Sequence, residues 1–333
     1  MCPRSLQNFP ERTRNLFAEL TRSGGSLHPE TDAFRFARSS RKHCILSRIM
    51  PDNLTIRIGN ISIALASDIP EGDLTLTGAY GPFTGRGQAD LTLRLRRGAV
   101  EVRAEQRVFD CPPIWTLYRR GATAIIKIFA GRARLERTLV LPPPIKNAEL
   151  YFSPTADRFI DPFFGPTLEL LMLNYLARGR GVVLHACGID RNGSGILFVG
   201  ESGAGKSTLA NLWRPEAGVD VLSDDRVIVR REGDRFRLYG TPWHGTAGFA
   251  SARSLTLKRI FFIKHGRENS IADAEGADPV SRLMTCSFPP FWDPRGLTFT
   301  LDLFAGLAAR VPCRELTFKP DKSVIEFIIR NEG

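Results

Sequence analysis

The sequence predicts two folded parts: a mostly antiparallel β-rich domain over residues 50–155, then an α/β domain over residues 156–333. A weakly ordered basic extension at residues 1–49 precedes them. Three observations carry this reading. Apolar and polar residues alternate from Leu54 to about Leu141, the period of half-buried strands. From Leu168 the period becomes that of a helix. Beyond it, apolar runs of strand length alternate with helical stretches, and one of them, residues 196–199, leads into Gly200-Glu-Ser-Gly-Ala-Gly-Lys-Ser207. A chain of 333 residues is long for one domain and sufficient for two separate cores.

Composition narrows the class further. Hydrophobic residues make up 43 % and charged residues 24 %, as in globular proteins. No apolar run approaches the roughly 20 residues of a membrane span, and residues 1–30 have no apolar core fit for a signal peptide. The expectation is a cytoplasmic protein with no membrane partner. Cys2, Cys44, Cys111, Cys187, Cys286 and Cys313 are scattered, without a C-x-x-C or a histidine at ligand spacing, which argues for reduced thiols and against zinc. Cys187, just ahead of the glycine-rich loop, reads as structural. The net charge of +11 raises nucleic acid as a partner, but its distribution argues against one. Residues 1–155 hold 23 Lys and Arg against 14 Asp and Glu, residues 156–333 hold 23 against 21, and residues 1–49 alone hold 9 against 4. The excess therefore lies outside the α/β part, with no basic run interleaved with aromatics.

In chain order, residues 1–49 show no sustained period apart from one short helical stretch at 14–20. Met50-Pro-Asp leads directly into strand patterns, which suggests Met50 as the natural start. Leu54, Ile56 and Ile58, then Ile61, Ile63 and Leu65 across Gly59-Asn60, alternate as strands do, as do Leu91, Leu93 and Leu95. Similar segments continue to Pro142-Pro-Pro144. Leu168, Leu171, Met172, Tyr175 and Leu176 then mark one face of a helix that Gly179 stops. Two apolar strands, 182–190 and 195–199, join through Asn192-Gly193 as an antiparallel hairpin. After the loop, Leu209, Leu212 and Trp213 mark a short helix ended by Pro215. Strand 219–222 finishes in Ser223-Asp-Asp-Arg226, and a hairpin of 227–229 and 236–239 ends in Gly240-Thr-Pro-Trp-His-Gly245. The remainder reads as strand 259–264, helix 279–285, an aromatic and Pro-rich loop at 288–294, helix 298–309 and strand 324–329.

The chemistry concentrates around Gly200-x-x-x-x-Gly205-Lys206-Ser207, the pattern of a phosphate-binding P-loop. Glycines at 200, 203 and 205 let the backbone of Glu201, Ser202 and Ala204 curl so that successive N–H groups converge on phosphate oxygens. Lys206 adds a positive charge, and the Ser207 hydroxyl suits Mg²⁺. A helix starting at Lys206-Ser207-Thr208 points its positive end at the anion. Asp224 follows Lys206 by only 18 residues, early for the acid of such a site. Two adjacent carboxylates, Asp224 and Asp225, can supply a metal contact and a base for an attacking hydroxyl.

At this point the chain resembles the HPr kinase/phosphorylase family and its HPr-kinase-like relatives. The resemblance rests on His185-Ala-Cys-Gly-Ile, the hairpin, the loop 200–207 and Ser223-Asp-Asp-Arg-Val227, in that order, and covers about residues 162–330. With Arg178-Gly-Arg-Gly ahead and Gly240-Thr-Pro-Trp-His-Gly245 behind, it looks especially like members that accompany modified-peptide gene clusters. The resemblance implies a P-loop kinase domain related to phosphoenolpyruvate carboxykinase, with ATP and Mg²⁺ as cofactors and phosphorylation of a serine hydroxyl on a peptide or small protein. It implies that residues 200–208 bind phosphate, that Asp224 is the base, and that Asp225 and Ser207 serve the metal. His185 would sit by the transferring phosphate, Arg226 would neutralise its charge, and His244 would line the substrate pocket. Hexamers occur among the related kinases, so a homo-oligomer is also implied. Glu201 and Thr208 depart from the phosphocarrier kinases, and no long glycine-rich signature follows. One-way kinase activity on another acceptor is therefore the reading, beside a small-metabolite kinase and a non-catalytic ATP-binding accessory or sensor protein.

Overall fold

The computed structural model describes residues 48–49, 54–70, 75–76, 78–130, 134–153, 161–163, 165–274 and 278–331. The basic extension, except Arg48 and Ile49, the helix at 14–20 and Met50 lie outside the described residues. Contacts divide the chain into a unit of Phe36–Tyr175 and a unit that contains Leu176–Gly333.

The first unit holds β1 (Arg48–Ile49), β2 (Thr55–Ile58), β3 (Ile61–Ser67), β4 (Thr75–Leu76), β5 (Thr84–Gly85), β6 (Leu91–Arg97), β7 (Arg107–Cys111), β8 (Trp115–Arg120), β9 (Thr123–Ala130), β10 (Arg134–Leu141) and β11 (Asn147–Phe152), followed by helix α1 (Thr167–Leu176). Nine of these strands form one sheet in the order β5-β2-β3-β6-β11-β10-β9-β8-β7. Six of its eight pairings are antiparallel, but β6 runs parallel to both neighbours, β3 and β11. Alternation along Leu91–Arg97 buries Leu91, Leu93 and Leu95 on one face. A period of two fixes which face is buried and leaves the direction of the neighbour open. The buried Arg137 donates to the Asp161 carbonyl at 3.0 Å and to Thr167 Oγ1 at 3.3 Å, which ties the start of α1 to β10.

The second unit holds β12 (Val182–Arg191), β13 (Ser194–Val199), α2 (Lys206–Trp213), β14 (Val219–Ser223), β15 (Arg226–Glu232), β16 (Arg235–Tyr239), β17 (Ser254–His265), β18 (Ser270–Asp273), α3 (Asp278–Thr285), α4 (Pro294–Ala308), β19 (Cys313–Phe318) and α5 (Ser323–Arg330). β12 and β13 form the expected hairpin, with Asn192 and Gly193 at φ 50° and 84°, the left-handed pair such a turn requires. On its other edge β12 meets β15 along residues 182–185 and β14 along 188–191. β13 runs parallel to β17, and β17 parallel to β19. The pairings β13-β12-β15-β16-β17 return to β13 and close a ring, from which β14 and the pair β19-β18 extend.

Alternation along β13 and β17 serves two cores. Leu197, Val199, Ile260 and Phe262 join the cluster covered by α3 and α4. Ile196, Phe198, Phe261 and Ile263 join the cluster that holds Leu209 and Trp213 of α2 and Val324, Ile325 and Ile328 of α5. Full burial of side chains such as Leu209 and Ile328 stabilises by about 1.5–3 kcal/mol each, so the helix that follows the glycine-rich loop is firmly anchored.

Residues 324–329, expected as a strand, form helix α5, and the sheet position is taken by β19. The physical reason is that a short β-branched apolar run does not distinguish a buried strand from a buried helix. The i, i+4 pair of Glu326 and Arg330 at 3.0 Å suits the helix.

Candidate functional site

The loop of Gly200–Ser207 leaves the carboxyl end of β13 and enters α2 directly at Lys206. Its turn demands glycine at position 205. There φ is 102°, and a Cβ would lie 2.5 Å from the Phe318 ring and 2.8 Å from the ring of His265. Glu201, Ser202 and Gly203 are exposed, Ala204, Ser207 and Thr208 half-buried. Lys206 is buried and turned back on the loop, its Nζ donating to the carbonyls of Gly200 at 2.7 Å and Glu201 at 2.9 Å. Burial lowers its pKa, against the pull of Cys286 and Asp225.

The two adjacent carboxylates stand in different surroundings. Ser223, at the end of β14, accepts from the N–H groups of Asp225 and Arg226 through its hydroxyl and so shapes the corner between β14 and β15. Asp224, almost wholly buried, accepts from the Ser207 hydroxyl at 3.1 Å, from the N–H groups of Gly245 at 3.0 Å and Ala247 at 2.9 Å, and from Phe249 at 3.4 Å. Asp225 instead meets His185 Nε2 at 2.9 Å and the Arg226 guanidinium at 2.6 Å. The register explains the second set, because His185 of β12 lies opposite Arg226 of β15, one step beyond the Ala186–Val199 pair that leads to the loop.

Electrostatics sharpen the difference. Burial pushes the Asp225 carboxyl up, but Arg226, the hydrogen bond from His185 and the charge of Lys206 outweigh it and hold the group down at about 2. Burial lowers the His185 pKa more than Asp225 raises it, so the imidazole is neutral at pH 7 and donates its Nε2–H to the carboxylate. Arg226 is buried with its guanidinium carbon 4.3 Å from the centre of the Phe288 ring, a cation–π seat. The 286–288 segment is held there by bonds from the His185 N–H to the Cys286 carbonyl and from the Phe288 N–H to the Val183 carbonyl.

The remaining expected residues fall around this centre. His244 places its Nδ1 3.0 Å from the Gly245 carbonyl oxygen, in the loop that caps Asp224. Cys187 is fully buried in the core and burial drives its thiol pKa up, as befits a structural residue. Reading the sequence passed over the amides of Gly245, Ala247 and Phe249, and also Phe288. The Gly-and-Pro-rich stretch 240–245 and the aromatic loop 288–294 signalled irregular backbone, but not its destination. Among the described residues, no three His, Cys, Asp or Glu side chains gather into a metal cage. Ser207 Oγ and Asp224 Oδ2, 3.1 Å apart, are nonetheless adjacent hard oxygen donors, the kind that suits Mg²⁺ when phosphates and water complete its shell.

A Cβ at position 245 would lie 2.7 Å from Asp224 Oδ2 and 3.1 Å from Asp225 Cβ. Gly245→Ala is therefore expected to destabilise the fold by about 1–3 kcal/mol through overpacking, while Thr246→Ala next to it stays within about 0.5 kcal/mol. Urea unfolding of the two variants checks this.

No protein-family model and no curated protein matches the chain. Among solved structures it is similar to the Hpr(Ser) kinase/phosphatase from Coxiella burnetii, at 16 % sequence identity and a TM-score of 0.25, over 45 % of this chain and 95 % of that one. No helix among the described residues is long and apolar enough to cross a membrane.

Proposed function

We propose that the unit containing residues 176–333 is an ATP-dependent kinase that transfers the γ-phosphoryl group to a hydroxyl, a serine of a peptide or small protein. The carrying observation is that the Lys206 loop, the Ser207–Asp224 pair and the Asp225–His185–Arg226 cluster meet at the carboxyl end of β13. Phosphoryl transfer needs positioning and neutralisation of charge more than covalent chemistry, and these groups supply both. The serine acceptor follows from the motif resemblance alone.

In this reading the loop amides and Lys206 hold the β and γ phosphates, and Arg226 neutralises charge beside the acceptor. Bound Mg²⁺, held by Ser207 and Asp224, would supply charge neutralisation to the phosphates. Asp225 orients the acceptor hydroxyl. As its oxygen bonds to γ-phosphorus, the bond from phosphorus to the β–γ bridging oxygen breaks, ADP leaves, and the hydroxyl proton passes to the Asp225 carboxylate. This divides the two aspartates the other way round from the sequence-based expectation. The support is that Asp224 faces the loop, with its Oδ2 beside the Ser207 hydroxyl, whereas Asp225 keeps one oxygen with His185 and Arg226 and is the more exposed.

The experiment is transfer of label from ATP to candidate peptides, with Mg²⁺ varied. Asp224→Asn is expected to raise the Mg²⁺ concentration for half-maximal rate by about 10- to 100-fold, with partial recovery at high Mg²⁺. An unchanged Mg²⁺ requirement would return the metal role to Asp225. A nucleotide-binding protein without transfer would bind ATP and label no acceptor.

A further inference from the structure

We infer that the nucleoside end of the bound nucleotide lies over the carboxyl ends of β17 and β19, with the His265 ring as its contact. The inference rests on the ATP reading above and adds the direction in which the nucleotide lies. β13 has a different neighbour on each edge, β12 on one and β17 on the other. Every group assigned to transfer stands on the β12 side: His185 on β12 itself, Asp224, Asp225 and Arg226 at the corner between β14 and β15, both of which pair with β12. A γ-phosphate aimed at Asp225 and anchored in the loop therefore extends its other end toward β17.

His265 waits there. It is the last residue of β17, exposed, and its ring rests on Phe318 with centroids 4.9 Å apart. Its edge also abuts the loop, since a Cβ on Gly205 would come within 2.8 Å of Cε1 and 3.0 Å of Nε2. Phe318, fully buried, fixes the ring from behind and is the last residue of β19. β13, β17 and β19 run parallel, so the loop, His265 and Phe318 lie at the same end of three neighbouring strands. An exposed flat ring braced against a buried one offers a stacking surface for a purine, and stacking tolerates the choice of base.

Calorimetric titration of the full chain, in Mg²⁺, with ATP and with inorganic tripolyphosphate separates this from the parent reading. Lys206→Met is expected to lose both ligands. His265→Ala is expected to weaken ATP roughly tenfold and leave tripolyphosphate within about twofold, and His265→Phe, which keeps a ring, to retain most of the ATP affinity. ATP binding by His265→Ala equal to wild type would overturn the placement. So would equal weakening of both ligands, which would put the ring at the phosphates. A wild-type chain that binds neither ligand would overturn the ATP reading itself and this inference with it.

Discussion

Asp225→Asn is expected to slow phosphoryl transfer by a factor of about 10²–10⁴ at saturating ATP and Mg²⁺, while the dissociation constant for ATP changes by no more than a few-fold. The expectation follows from what the carboxylate touches. One oxygen takes the His185 Nε2–H at 2.9 Å and the Arg226 guanidinium at 2.6 Å, so the group is fixed in direction by two partners that are themselves fixed. His185 is set by the β12–β15 register and Arg226 by the Phe288 ring beneath it. A carboxyl held at about 2 is a weak base, so in the proposed reaction its share would be chiefly to align the hydroxyl and receive its proton late, as phosphoryl transfer allows. Asparagine keeps the size and loses the charge, and it leaves Arg226 buried beside a neutral amide. A variant that transfers at the wild-type rate with unchanged Mg²⁺ dependence would remove Asp225 from the reaction.

The same cluster sets a pH signature. The His185 pKa in the folded chain lies below its ordinary 6.5, so protonation favours the unfolded chain and stability is lost as pH falls below 6.5. Asp225 acts in the same sense at lower pH: its carboxyl, ordinarily at 3.8, sits at about 2, so the stability it lends is present above 3.8 and lost as pH falls toward 2. The acid limb of the transfer rate for wild type should accordingly lie below pH 6.5. In His185→Gln, which keeps a donor to Asp225 and cannot titrate, the part of that limb due to the imidazole should vanish.

Much of this centre was legible in the chain because it is built from local pieces. The Asn192-Gly193 turn, the apolar run into Gly200 and the helix marked by Leu209 and Trp213 each depend on neighbours a few residues away, and each forms as expected. The pairing of His185 with Asp225 was out of reach, since it depends on β12 and β15 lying side by side in one register, 40 residues apart. The cap on Asp224 is harder still, because backbone N–H groups from Gly245, Ala247 and Phe249 carry no side-chain signature. The difference between the two neighbouring aspartates was invisible for the same reason: it lies in what other segments bring to them. The parallel pairings of β6 and the helix at Ser323–Arg330 were lost to patterns that report burial without reporting direction or type.

Lys206→Met is expected to abolish ATP binding, with a loss of affinity of 100-fold or more, and to leave the nucleotide-free protein at least as stable as wild type. The first half follows from removing a buried charge from the proposed phosphate site, a loss of about 3 kcal/mol or more. The second is the less obvious half. Burial lowers the Lys206 pKa below 10.5, so the folded chain holds the ammonium less willingly than the unfolded chain does. Below pH 10.5 that charge therefore opposes folding, and its two bonds to the Gly200 and Glu201 carbonyls offset only part of the opposition. Methionine has similar length without the charge. Calorimetry and thermal melting without nucleotide check both halves. A variant that melts well below wild type would show that the lysine braces the loop structurally. One that melts at or above it and binds no ATP would show a residue whose burial is tolerated for the ligand it meets.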